Sequence, residues 1–217
     1  MDKKITVAVF GASGNVGNHF VNQALEAGLT IKAFVRNPKK YSLSENPNVE
    51  IIEGNVTNFA DVERAVTNAD VVISCLGNVK VNGNYITIMH TAHDNILKAA
   101  SKQTTVPRCI FISTIGCGGT SWLVKQMLTL IVGKTTFADY EKADKRIREE
   151  NTVPFLLVRP YALTDKEGNG KYYVTKNQNG TFFKPISRAD VAKFILNAVT
   201  DQQWDGSPGV LLGGAKP

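Results

Sequence analysis

Residues 5–17 read Ile5-Thr6-Val7-Ala8-Val9-Phe10-Gly11-Ala12-Ser13-Gly14-Asn15-Val16-Gly17. The first six are a largely apolar run of strand character, and the next seven carry glycine at every third position. Beyond them Val16, Phe20, Val21, Ala24 and Leu25 recur at helical spacing. A strand therefore ends, the chain turns on glycines, and a helix starts at once. Glycine lets that backbone turn tightly and approach a bulky anion. The amides of the new helix N-terminus then face the anion, and the helix dipole favours its charge. The pattern G-x-x-G-x-x-G is one residue longer at its start than the common dinucleotide fingerprint, but its strand–turn–helix context is that of a pyrophosphate-binding turn.

The chain has 217 residues, of which 43% are hydrophobic and 20% charged. That suits one α/β domain over residues 1–217, with a small substrate-side region from about 160 onward. Met1-Asp2-Lys3-Lys4 leads straight into the first strand, so the expectation is a cytoplasmic protein without a signal peptide. The apolar stretch Trp122–Val132 is too short for a membrane span. Cys75, Cys109 and Cys117 form no ligand cluster, and their odd number favours free thiols. Cys75 and Cys117 read as small apolar fillers. The net charge of +6 comes without a dense basic run, which argues against nucleic acid and for an anionic cofactor plus a solvated surface.

Onward, a second strand is expected over Thr30–Val35 and a third over Val49–Ile52. A helix from about Phe59 to Thr67 is capped by Thr57 or Asn58. Asp70–Leu76 is the fourth strand and Tyr85–Lys102 a long helix. Arg108–Ser113 is the fifth strand, Thr136–Asn151 an amphipathic helix and Phe155–Val158 the sixth strand. Tyr172–Thr175 and Thr181–Phe183 flank Asn177-Gln178-Asn179-Gly180, a hairpin or bent loop. Ser187 caps a last helix with Asp190 at its third position, and Gly209–Leu212 is a possible seventh strand. This βαβ alternation predicts a Rossmann-type, doubly wound, mostly parallel sheet of order 3-2-1-4-5-6 with helices on both faces. The cofactor crevice falls between strands one and four.

Within that frame Gly11, Ser13, Gly14, Asn15, Val16 and Gly17 form the phosphate turn. Enzymes that prefer NAD place an acid at the end of the second strand. Here Arg36 stands there, followed by Lys39 and Lys40. A guanidinium bonds a 2′-phosphate and stacks on adenine, so NADP(H) is expected over NAD(H); the alternative is a solvated strand-end charge. Asn55 and Val56 follow the third strand, where the amide either reaches the adenine or serves a turn. Leu76 and Gly77 end the fourth strand, where glycine permits close approach. His90 and His93 lie on one helix at non-ligand spacing and read as helix-surface residues; no metal site is expected.

Taken together, GASGNVG at Gly11, FVRNP ending at Pro38, EGNV at Glu53, ISCLGN at Ile73, FIST at Phe111, LVRP at Leu157 and ISRADVA at Ile186 resemble the atypical short-chain dehydrogenase/reductases. The resemblance is to their NAD(P)H-binding branch with flavin and biliverdin reductases, and it covers nearly the whole chain. It implies NADP(H) across the C-terminal strand ends and a small substrate pocket above the nicotinamide. It places the hydroxyls of Ser113 and Thr114 beside the nicotinamide and substrate, with Pro160 and Tyr161 also at the site; ordinary strand-end capping is the alternative for the hydroxyls.

Two positions depart from the pattern. Many short-chain reductases pair Tyr with Lys four residues on, and the lysine lowers the tyrosine pKa for proton donation. Tyr140 is followed at that spacing by Asp144, and it stands about where the biliverdin-reductase-like branch carries a histidine. Tyr140 is thus either the proton donor or a pocket wall. Relatives often place glycine after Arg-Pro, where this chain has Tyr161, narrowing or covering the nicotinamide site. The segment from Gly118 to Gly133, rich in apolar residues, is expected to be a lid or pocket wall, with an oligomer contact or a membrane-touching patch as alternatives. The expected activity is hydride transfer from NADPH to a small conjugated acceptor (flavin, quinone or enone), by a monomer or homodimer, with Tyr140 and Ser113 as candidate catalytic groups. A redox sensor that binds NADP(H) without turnover, and an isomerase or cyclase on the same fold, are the rival readings.

Overall fold

The run Thr6–Phe10 forms β1, the strand against which the rest is laid. The computed structural model describes residues 4–77, 79–81, 84–119, 122–177, 184–206 and 208–214. After β1 come α1 (Asn15–Glu26), β2 (Thr30–Val35), β3 (Val49–Glu53), α2 (Phe59–Val66) and β4 (Val71–Ser74). A small antiparallel ribbon, β5 (Val79–Val81) and β6 (Asn84–Ile86), leads into α3 (Met89–Ser101) and β7 (Arg108–Ile112). Next are α4 (Trp122–Val132), α5 (Lys134–Arg148), β8 (Phe155–Pro160), β9 (Leu163–Thr164) and β10 (Tyr172–Thr175). Finally come β11 (Ile186–Ser187), α6 (Arg188–Ala198) and β12 (Val210–Gly214).

The main sheet has eight strands in the order β10-β12-β8-β7-β4-β1-β2-β3. Every neighbouring pair is parallel except β10 on β12. The seven parallel strands, numbered in chain order, give the expected 3-2-1-4-5-6 with β12 as the seventh. Strand alternation divides the core. Val7 and Val9 pack on the side of α1 and α6, whereas Ala8 and Phe10 pack on the side of α2, α3 and α5. Burial on both faces explains why these strands read as continuous apolar runs.

Several boundaries differ from expectation. The helix expected from Tyr85 begins at Met89, because Asn84–Ile86 pairs with Val79–Val81. Its start is capped from another element: the Asp139 carboxylate on α5 accepts the N–H groups of Met89 at 2.8 Å and His90 at 3.3 Å. The helix expected from Thr136 starts at Lys134, just after Gly133. Tyr172–Thr175 pairs with Leu211–Gly214 of β12. Its expected partner, Thr181–Phe183, lies outside the described residues, as do Gln178–Gly180 of the intervening turn. Ser187 does cap α6, its Oγ accepting from the Asp190 N–H at 2.9 Å. Asn58 caps α2 through the Ala60 N–H. Among the described residues no helix is long and apolar enough to cross a membrane, and no cluster of metal-ligating side chains occurs.

The two α3 histidines correct the surface assignment. His93 is buried, with Nε2 2.9 Å from the Ser74 Oγ and its ring edge-on to Phe111 at 5.0 Å; His90 is half-buried. Both sit where α3 turns toward the sheet, so their spacing followed the buried face. Burial pushes the His93 pKa down to about 3, outweighing the attraction of Asp144, with His90 adding to the fall. Because the unfolded state binds the His93 proton more readily, its contribution to stability is complete above about pH 6.5 and is lost as pH falls toward 3. His93→Gln is accordingly expected to flatten the loss of stability between pH 6.5 and 4, read from urea denaturation across that range. An unchanged pH slope would show that His93 does not carry it.

Candidate functional site

The glycine turn puts the end of β1 against the end of β4. Gly11 has φ +80°, and a Cβ there would stand 2.9 Å from the Cys75 carbonyl oxygen. A Cβ on Gly17 would stand 2.1 Å from the Gly11 carbonyl oxygen, so only glycine lets α1 start so close to the strand. Gly14 occupies the N-cap position, and no side chain caps the helix. The N–H groups of Asn15, Val16 and Gly17 have no carbonyl one turn back to receive them. These features leave a helix N-terminus of positive potential at the point where the strand order reverses.

A cavity of about 830 Å³ opens there and runs across the C-terminal strand ends. Gly11, Ser13, Gly14, Asn15 and Val16 form its middle. Arg36, Asn55 and Val56 line the side toward β2 and β3. Leu76, Gly77, Ser113 and Thr114 line the floor beyond the crevice, and Pro160 and Tyr161 lie past the end of β8. Of the seventeen positions expected at the site, fifteen, Tyr140 among them, line this cavity, and Gly17 packs behind the turn. Lys39 stands apart: it is exposed on the single 3-10 turn Pro38–Lys40 and does not line the cavity. The turn curls Lys39 off the strand direction that carries Arg36 to the rim.

Asn55 serves the turn after β3. Its Oδ1 accepts the Thr57 N–H at 3.1 Å and the Thr57 hydroxyl at 2.9 Å, leaving its amide NH₂ for a ligand. Tyr140, half-buried on α5, brings its hydroxyl within 4.0 Å of the position a Cβ would take on Gly77. The segment after Gly118 forms α4 between Trp122 and Val132; Leu128 and Val132 line the cavity while Met127, Leu130 and Ile131 face solvent. Gly116 lies under this wall, where a Cβ would collide with Leu128.

One group decides the chemistry of the floor and was missed by the sequence reading. Asp144 occupies the place of the absent relay lysine and is buried. Its carboxylate takes a bidentate pair from Arg159, fully buried on β8, at 2.8 and 2.9 Å, and a third bond from Arg148 at 2.9 Å. The Ser113 hydroxyl donates to the same carboxylate at 2.8 Å. Arg159 also donates to the Pro208 carbonyl at 2.7 Å and lies between Gly118 and Gly209, where a Cβ would strike its guanidinium. Ser113 spends its proton on Asp144 and offers the cavity only lone pairs. An arginine inside the apolar strand Phe155-Leu156-Leu157-Val158-Arg159-Pro160 was the available signal: a charge on a buried strand needs a partner.

Among the described lining residues there is no Lys, His, Asp or Glu. The titratable groups there are Arg36, Arg188, Tyr140, Tyr161 and Cys75. Burial pushes the Cys75 thiol up to about 12, which keeps its proton on at neutral pH.

The chain matches the family described as NAD(P)H-binding over residues 11–202. It is 26% identical over 224 residues to divinyl chlorophyllide a 8-vinyl-reductase, chloroplastic, of Arabidopsis thaliana, an alignment covering 92% of this chain and 51% of that protein. The chain thus spans about half the length of that relative. Among solved structures it superposes on a short-chain dehydrogenase/reductase from Veillonella parvula in complex with NADP, with a TM-score of 0.82, 19% identity and coverage of 97% and 95% of the two chains. It likewise superposes on ChuY, an anaerobilin reductase from Escherichia coli O157:H7, with a TM-score of 0.74, 22% identity and coverage of 98% and 99%. These likenesses establish a Rossmann-type NAD(P)-binding fold.

Breaking the buried pair has a calculable cost. Asp144→Ala strands the Arg159 guanidinium and is expected to destabilise the fold by about 3–5 kcal/mol. Joint replacement by apolar residues of similar volume (Asp144→Leu with Arg159→Met) is expected to recover most of that loss. Urea denaturation of the three variants checks this, and equal losses in the single and double variants would reject it.

Proposed function

The chain belongs to the NAD(P)H-binding family, and on that premise we propose that it is an NADPH-dependent reductase of small conjugated acceptors such as flavins, quinones or enones. The observation that carries this reading is the composition of the cavity: an uncapped helix start in its middle, a guanidinium at the β2 end, and, among its described lining residues, no Lys, His, Asp or Glu. The glycine cradle and the free α1 amides fit a pyrophosphate. Arg36 takes the 2′-phosphate, with Lys39 as a nearby surface charge that raises the local potential. Ser113 and Thr114 hold the nicotinamide carboxamide, Ser113 as acceptor for its NH₂ because its proton is held by Asp144. When bound, the reduced nicotinamide supplies a hydride to the acceptor.

The residues then decide which acceptors react. Reduction of a simple ketone needs a proton delivered to the developing alkoxide, and a positioned acid with a matched pKa is worth about 10²–10⁴-fold. Tyr140 has no lysine at the relay spacing, and Asp144 at that spacing is committed to two arginines. Acceptors that spread the incoming charge are protonated afterwards by water and need no such acid. Leu128, Val132, Phe137 and Tyr161 give them an apolar, aromatic wall. The absence of a lysine at the relay spacing, with Tyr161 in the cavity, also favours a second reading, in which NADP(H) is bound and sensed without turnover.

Two measurements test the proposal. Arg36→Ala is expected to weaken NADPH binding by about 1.5–3 kcal/mol, the worth of a charge-assisted hydrogen bond, and to leave NADH binding unchanged. Calorimetry showing equal loss for both nucleotides would reject the 2′-phosphate assignment. Tyr140→Phe is expected to lower the rate with flavins, quinones and enones by less than the roughly 10²-fold minimum for losing a general acid, and simple ketones are expected to be poor acceptors of the unmodified protein. Fast ketone reduction that collapses in Tyr140→Phe would show a working relay. Tight NADPH binding with no turnover of any acceptor would favour the sensor.

A further inference from the structure

Two charged side chains line the cavity among its described residues, and both are arginines. Arg36 is assigned above to the cofactor. Arg188 has no role in that account. It is the first residue of α6 and follows β11, which pairs in parallel with β9 just past the end of β8. Its neighbours on the cavity wall therefore include Tyr161 and Leu163, which follow β8 on one side of β1, whereas Arg36 follows β2 on the other. Its backbone is firmly held: Ser187 caps α6, and Asp190 in the first turn accepts the N–H groups of Gly170 at 2.7 Å and Asn169 at 3.3 Å. That clamp also brings the 165–170 loop against the helix start.

From this loop Asp165 pairs with the Arg188 guanidinium. The pair is lopsided: the Arg188 side chain is 20% exposed and faces the cavity, whereas the Asp165 side chain is 81% exposed and does not line it. A carboxylate so exposed is a weak partner, because solvent screens it and its side chain must be ordered to make the contact. A guanidinium has five N–H donors in a planar fork, and one of them meets Asp165. The cavity thus presents a largely desolvated cation whose counter-ion sits outside in water.

We propose that Arg188 anchors an acidic group of the electron acceptor, a carboxylate or a phosphate, and that Asp165 holds the guanidinium until that group replaces it. This rests on the reductase reading and narrows its substrate class: a conjugated acceptor carrying a negative tail. The aromatic and apolar wall takes the conjugated part, and the guanidinium takes the tail. Bidentate recognition of carboxylate or phosphate is what the arginine fork does best.

The test uses one ring system with three tails. Riboflavin has a neutral tail, FMN the same tail with a phosphate, and 10-carboxymethylflavin a carboxylate. Binding of each to the full chain is measured by flavin fluorescence, with and without saturating NADP⁺, so the result does not depend on turnover. At least one anionic flavin is expected to bind roughly 10- to 100-fold more tightly than riboflavin, and the tighter one identifies the preferred anion. Arg188→Met is expected to erase the difference, and Arg188→Lys to keep part of it. Asp165→Asn is expected to act in the opposite direction, tightening the anionic flavin about two- to fivefold with no effect on riboflavin. Equal binding of all three flavins to the unmodified chain overturns the proposal. So does a loss of NADP⁺ affinity in Arg188→Met that matches its loss of flavin affinity, which would assign the guanidinium to the cofactor. If the unmodified chain binds no NADP⁺, the reductase reading fails, and the flavin comparison without nucleotide still decides the role of Arg188.

Discussion

The 2.1 Å that would separate a Cβ on Gly17 from the Gly11 carbonyl oxygen is the constraint from which the rest of the site follows. Without a side chain at that point, α1 begins directly behind the end of β1 and needs no longer loop to clear it. The helix amides then open at the place where β2 and β4 diverge from β1. Gly11 adds the second half of the geometry, because its left-handed backbone folds the turn under the helix start and against the end of β4. Every other part of the cavity is arranged around this fixed origin of positive potential.

A second electrostatic centre lies beneath the far end of the cavity. Asp144 stands four residues after Tyr140 on α5, and it gathers Arg159, Arg148 and Ser113. A buried carboxylate among guanidinium groups is expensive to disrupt, so this centre fixes α5, β7 and β8 relative to one another. It also withdraws two groups from the cavity: the Ser113 proton is spent on Asp144, and Asp144 is not among the described lining residues.

The helix α4 shows how the same stretch serves two environments. Leu128 and Val132 close the cavity from one face, while Leu130 and Ile131 stand in solvent on the other. The ion pair between Lys125 and Glu141, at 2.6 Å, ties α4 to α5 across their contact. This wall belongs to the site because α5, which carries Tyr140 and Asp144, follows directly after the Gly133 turn.

By itself the sequence determined the sheet order, the glycine turn between β1 and α1 and the identity of most cavity residues. These follow from local rules: apolar runs of strand length, helical periodicity, and glycines where only glycine fits. Boundaries such as the start of α3 escaped it, since the cap comes from Asp139, fifty residues away in the chain. The burial of His93 escaped it because helical spacing identifies a face but not what packs on it. Only tertiary structure decided that Asp144 and Arg159 satisfy each other, that Ser113 spends its proton on that pair, that Lys39 turns away while Arg36 reaches the rim, and that Arg188 enters the cavity. The first two depend on where distant charges and dipoles end up in low dielectric. There an unpaired group costs several kcal/mol (about 3–5 for a broken buried pair), so its partner is dictated by the fold and not by its neighbours in the chain.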